Sequence, residues 1–171
     1  MASTFSDRML RAARLEPALY EEVEADKNAL GQAMGVVVLV SIAAGLGTAR
    51  YGSSSIIIGT IAALMGWFIW AALIYAIGAK WLPEPQTRTD MGELLRTLGF
   101  SASPGFIRLF GFIPVLGPLI FLIGNIWMLM AMVIAVRQAL DYTGTGRAIV
   151  VCFIGWLVEV TILALLLMAA R

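Results

Sequence analysis

Four long apolar runs, each close to the length that crosses a lipid hydrocarbon core, constrain this chain more than any other feature. They cover residues 30–49, 56–79, 119–136 and 148–170. A spanning helix needs about 20 predominantly apolar residues. The second run carries Trp67, Trp70 and Tyr75. Charges make up 13% of the chain and, Glu159 apart, fall outside the runs. A soluble domain keeps roughly a quarter of its residues charged. The pattern therefore requires lipid as the solvent and predicts an all-α polytopic membrane bundle.

Residues 98–113 form a fifth, shorter apolar stretch, interrupted by Pro104, Gly105, Arg108 and Gly111. It crosses as a broken helix, or it enters and returns. Cytoplasmic loops collect Lys and Arg. With five crossings and the N-terminus inside, the inner side holds Arg8, Arg11, Arg14, Lys27, Lys80, Arg88, Arg96, Arg137 and Arg147. The outer side then holds only Arg50 and Arg171. A re-entrant segment would move Arg137 and Arg147 outside and weaken that bias. The expectation is five transmembrane helices, an N-terminus in the cytoplasm and a C-terminus outside. Residues 1–29 form a cytoplasmic arm and 30–171 the membrane domain. Residues 1–16 lack the apolar core of a cleavable signal, so the first span is read as an uncleaved anchor.

Pro and Gly punctuate the connections. Pro83 and Pro85 open the largest inner loop. Asp90 followed by Glu93 is a capping-box signature for a short helix leading into the third span.

The arm is the most patterned polar region. Arg8, Arg11 and Arg14 recur every third residue and share a helical face. Such a helix suits the membrane interface and anionic lipid head groups. Pro17 then starts a second short helix. That helix carries Glu21, Glu22, Glu24 and Asp26. The plain reading is an acidic face paired with the three arginines. Converging oxygens around a hard cation, or docking of a partner, are the alternatives.

Within the spans, Glu159 is a carboxylate that needs a proton or a partner. Arg108 lies at similar expected depth, so an Arg108–Glu159 ion pair joining the third and fifth spans is expected. Proton or ion coupling by this pair is the less favoured role. Asn125 is placed to hydrogen-bond between helices.

Several chemistries lack their residues. The net charge of +1 gives no footprint for nucleic acid. The chain has one cysteine, Cys152, and no histidine. That leaves no internal disulfide, no imidazole base or haem ligand, and no Ser-His-Asp triad. Gly144-Thr145-Gly146 is too short for a nucleotide loop. No enzyme, metal or cofactor is expected.

Three stretches together suggest a family. They are Tyr20-Glu21-Glu22-Val23-Glu24-Ala25-Asp26, Leu98-Gly99-Phe100-Ser101-Ala102-Ser103-Pro104, and Ile113-Pro114-Val115-Leu116-Gly117 with Ile126-Trp127 and Ala135-Val136-Arg137-Gln138-Ala139-Leu140 beyond it. In order and spacing the chain resembles the bacterial branch of the Yip1 family of five-span membrane proteins. The resemblance implies five helices and a cytoplasmic N-terminus. Eukaryotic members are linked to Rab GTPases, vesicle traffic and membrane shaping. This chain lacks their long N-terminal region with its Gly-Pro-aromatic motif, so Rab binding is not carried over. The leading expectation is a non-enzymatic scaffold or organiser in the bacterial inner membrane, engaging lipid or a protein partner through its arm, or self-associating. A small transporter or channel component using Arg108 and Glu159 is the alternative.

Overall fold

The computed structural model describes residues 4–169. Expectations for Ala170 and Arg171 at the C-terminal end lie outside the described residues. Among those residues there are helices and no strands. The arm folds as α1 (Phe5–Ala13) and α2 (Pro17–Ala25). Thr4 caps α1, accepting from the Asp7 amide, and Pro17 stands in the first turn of α2, where its missing N–H costs nothing.

Four helices are long and apolar enough to cross a membrane. They are α3 (Ala29–Gly47), α4 (Ser53–Ile74, continued by π-helical turns over Tyr75–Trp81), α6 (Gly117–Ala139) and α7 (Thr145–Ala169). In α7 the apolar window runs over Thr145–Ile162. Gly52 precedes α4 at φ 110°, a conformation open to glycine.

The shorter fifth stretch is built in two pieces. Asp90 and Glu93 close a reciprocal capping box, and α5 (Met91–Ser101) follows. The cap hydrogen bonds measure 2.8 Å and 3.0 Å. The helix then tightens into a 3₁₀ segment, Ser103–Phe112, with Pro104 in its first turn. The helix thus starts earlier than residue 98 and breaks at Ala102, because Pro104 has no N–H to continue the α-helical ladder.

Packing closes these elements into a ring. α3 lies between α4 and the α5–3₁₀ unit, which packs on α6; α6 meets α7, and α7 returns to α4. Small residues allow the close approaches. A Cβ on Gly99 would sit 2.7 Å from that of Ala33; one on Gly105 would meet Val40 at 2.8 Å; Gly47 lies against the Arg108 carbonyl. Residues 99, 105 and 108 therefore run alongside 33, 40 and 47 of α3, in the same direction. Gly105 also meets Met128, and Gly111 meets Phe121, so α6 runs the opposite way.

The connections gather at two ends. At one end lie the arm and the loops around residues 82–90 and 140–145. There the Tyr142 hydroxyl sits between the carbonyls of Gly78 (3.0 Å) and Leu82 (2.9 Å), at the C-terminal end of the π turns where carbonyls lack intrahelical donors. Glu84 accepts from Thr143 and pairs with Arg147 at 3.2 Å. At the other end, Arg50 lies near Gly117. We call these the arm end and the far end.

Candidate functional site

A buried cation, Arg8, straps the arm to the bundle. Arg8 is 6% exposed. Its Nε donates to Glu22 at 3.0 Å, Nη2 to Asp26 at 2.8 Å and Nη1 to Gln32 of α3 at 3.0 Å. Arg11 reaches Glu22 at 2.6 Å and Glu16 at 3.1 Å. Desolvation works against the Arg8 charge, but the hydrogen bonds to Asp26 and Glu22 outweigh it and hold its pKa above the ordinary value. The same bond from Arg8 holds the Asp26 carboxyl below its usual range. A planar guanidinium satisfies three acceptors at once, which an ammonium cannot do with the same geometry.

The plain reading pairs the acidic face with Arg8, Arg11 and Arg14. Arg8 and Arg11 are held by Glu22 and Asp26 in this way, whereas Arg14 is exposed outside the clasp. The turn between α1 and α2 folds the first helix back on the second, so the two charged faces meet.

The acidic residues divide by helical periodicity. Glu22 and Asp26, four apart, turn to the arginines. Glu21 and Glu24, three apart, turn to a cleft of about 440 Å³. Glu93 of α5, Arg137 and Gln138 of α6, and Asp141 and Tyr142 complete its lining. Gln138 donates to Glu21 at 2.7 Å. Arg96 turns its guanidinium to the carbonyls of Val23 and Glu24, at 3.0 Å for the first, and so ties α2 to α5. Burial, then the charges of Asp141 and Glu93, push the Glu24 carboxyl up to about 7. Among the described residues, no group of three or more His, Cys, Asp or Glu is placed to hold a metal ion.

The position of α1 adds a second feature. Trp127 Nε1, well inside α6, donates to the Ala13 carbonyl at 2.8 Å. Phe5 packs against Gly35 of α3. The helix thus lies along the apolar flank of the bundle, with Leu10 50% exposed beside Arg14.

The expected Arg108–Glu159 ion pair is not among the contacts of the described residues. Arg108, on the 3₁₀ segment, donates through Nη2 to Asn125 of α6. Glu159 lies across the ring, its Oε1 over Gly66 of α4. The reason is the order of packing: the 3₁₀ segment contacts α3 and α6, whereas α7 contacts α4 and α6. A depth match along the chain does not set which helices become neighbours.

Sequence reasoning missed Glu93, Arg137 and Asp141 as one cleft, and Glu84 as the partner of Arg147. Only the capping box hinted at the placement of Glu93.

A family model described as Yip1 domain matches residues 19–167, from within α2 to near the end of α7. No curated protein and no solved structure matches the chain.

Proposed function

Because the chain belongs to the Yip1 domain family, and is with it an integral multi-pass membrane protein, we propose that it is a non-enzymatic membrane organiser working through its docked arm. The family is not known as enzymatic. The observation that carries the reading is the Arg8 clasp. A buried cation that joins α1, α2 and α3 gives the arm a fixed shape. That shape sets Leu10 and Arg14 on the exposed flank of the bundle beside Trp127 and leaves the acidic cleft open to a partner. An amphipathic helix held along the flank between the arm end and Trp127 occupies one leaflet and not the other.

The reading includes five crossings, with the arm in the cytoplasm and the far end outside. Its support is the run of contacts from Gly99–Ala33 to Gly47–Arg108 along the whole of α3, together with the charge bias of the loops. The bacterial-branch resemblance adds the inner membrane as its location.

Arg8→Ala tests the arm. It leaves Glu22, Asp26 and Gln32 without their shared donor, and because the two carboxylates keep about a third of their exposure the expected loss is about 1–3 kcal/mol. The variant should be cut by trypsin at Arg11 and Arg14 far faster than wild type. Pull-downs from native membranes should then lose the lipids or proteins that wild type retains. A released arm with an unchanged set of co-purifying molecules sinks the reading.

A second reading, transport past Arg108 and Glu159, is favoured by one observation. Both approach the same stretch of α4, Arg108 near Ala63 and Trp67 and Glu159 over Gly66. It ranks second because the cavity beside Arg108 is about 30 Å³, room for about one water.

A further inference from the structure

Among the described residues, Arg108 is a cation without an anion. Its stem passes over Gly124, where an added Cβ would meet Arg108 Cγ at 3.3 Å. Nη2 is taken by the neutral Asn125 carbonyl. Nε is buried and has no hydrogen-bond partner. No carboxylate of the described residues lies within ion-pair distance. A guanidinium does not deprotonate in proteins, so the charge stays, at a depth where charge is costly.

The bundle is open at this level. Asn125, Met132 and Val136 share one side of α6, being seven and eleven residues apart. Met132 and Val136 are buried, yet Asn125 is exposed. On α7, Val151 and Gly155 are buried, while Ile162, seven residues on from Gly155, is 38% exposed. The two helices are thus covered toward the arm end and uncovered toward the far end. Ile126 and Leu129 of α6, exposed and apolar, continue from Asn125 toward the bilayer middle.

We propose that this opening is a lateral lipid site, in which the phosphate of an anionic phospholipid pairs with Arg108 and Asn125. With Nε enclosed, the terminal Nη groups of the guanidinium are the donors left for phosphate oxygens. Asn125 uses its carbonyl on Arg108, so its amide N–H donates to the same head group. The acyl chains lie along Ile126 and Leu129. The apolar walls select an amphiphile over a free anion, which would keep its water. A zwitterionic lipid binds more weakly because its own ammonium already neutralises the phosphate. The residues of this site stand on the 3₁₀ segment and α6, not on the arm.

The test is native mass spectrometry of the full chain released from nanodiscs of equal phosphatidylglycerol and phosphatidylcholine. Wild type should retain phosphatidylglycerol about tenfold over phosphatidylcholine, the effect of one charge-assisted contact. Arg108→Gln should abolish the preference, Asn125→Ala should reduce it, and Glu159→Gln should leave it intact. If Arg108→Gln does not fold, Asn125→Leu and Arg108→Lys decide: both should weaken the preference, the lysine variant less. Equal retention of the two lipids by wild type overturns the proposal, as does an unchanged preference in the Arg108 and Asn125 variants. Displacement by millimolar inorganic phosphate assigns the site to a free anion and overturns it too. Loss of preference in Glu159→Gln equal to that in Arg108→Gln makes Arg108 and Glu159 one unit and also overturns it.

Discussion

Glu24 and Asp26 stand two residues apart on α2 and titrate in opposite directions. Asp26 is held down by Arg8, so its contribution is present above its ordinary pKa and fades only in acid. Glu24 is pushed up to about 7, from an ordinary 4.5, by burial and then by Asp141 and Glu93. Between those two values the folded chain keeps a proton that the unfolded chain has released. Stability therefore falls as pH rises across that window and stays low above it. The cleft is open to water, so the loss is on the order of 1–3 kcal/mol. Thermal unfolding in nanodiscs should show a lower midpoint at pH 8 than at pH 5, and Glu24→Gln should flatten that slope. A midpoint that rises with pH in both proteins contradicts the assignment. The division of the four acids between two faces could be read from their spacing. Their partners could not, because Glu93 and Asp141 are remote in sequence and only folding brings them to Glu24.

At the scale of elements, the α5–3₁₀ unit departs most from a regular span. Its sequence announces the break through Pro104, and the capping box announces the start. The length of the 3₁₀ piece depends on packing. A tighter helix is slimmer, and it lets Gly105 and Gly111 approach Met128 and Phe121. Glycines here differ sharply in what surrounds them. Gly99→Ala would drive a methyl to 2.7 Å from Ala33 Cβ and to 3.0 Å from its carbonyl. Backbone would have to move, at about 1–3 kcal/mol. Gly31 has nothing within 4 Å, so Gly31→Ala should be neutral or gain up to about 1 kcal/mol of helix propensity. Paired melting curves check both, and equal effects of the two substitutions would contradict this packing.

At the scale of the whole molecule, parity of crossing decides which loops face which compartment. Single cysteines at Gln86 and Val115, in a Cys152→Ser background, report it. Val115 is 88% exposed at the far end and Gln86 is exposed at the arm end. With five crossings, a membrane-impermeant maleimide should label the two from opposite sides. Labelling of both from one side would make the segment around residues 98–113 re-entrant and remove the five-crossing reading. The ring order of helices matters as much as their number. It separates Arg108 from Glu159 and turns Arg108 toward Asn125.

Hydrophobic length alone determined that this chain needs lipid, since each long run satisfies its own backbone only as a helix. Local chemistry alone also set the capping box, the Pro104 break and the two faces of α2, because those depend on neighbours within a few residues. Tertiary structure decided which charges meet. Arg8 reached Gln32, Glu24 reached Asp141, and Arg108 reached Asn125 because Coulomb and hydrogen-bond partners are chosen by the packing order of helices in three dimensions, which periodicity along one helix does not encode.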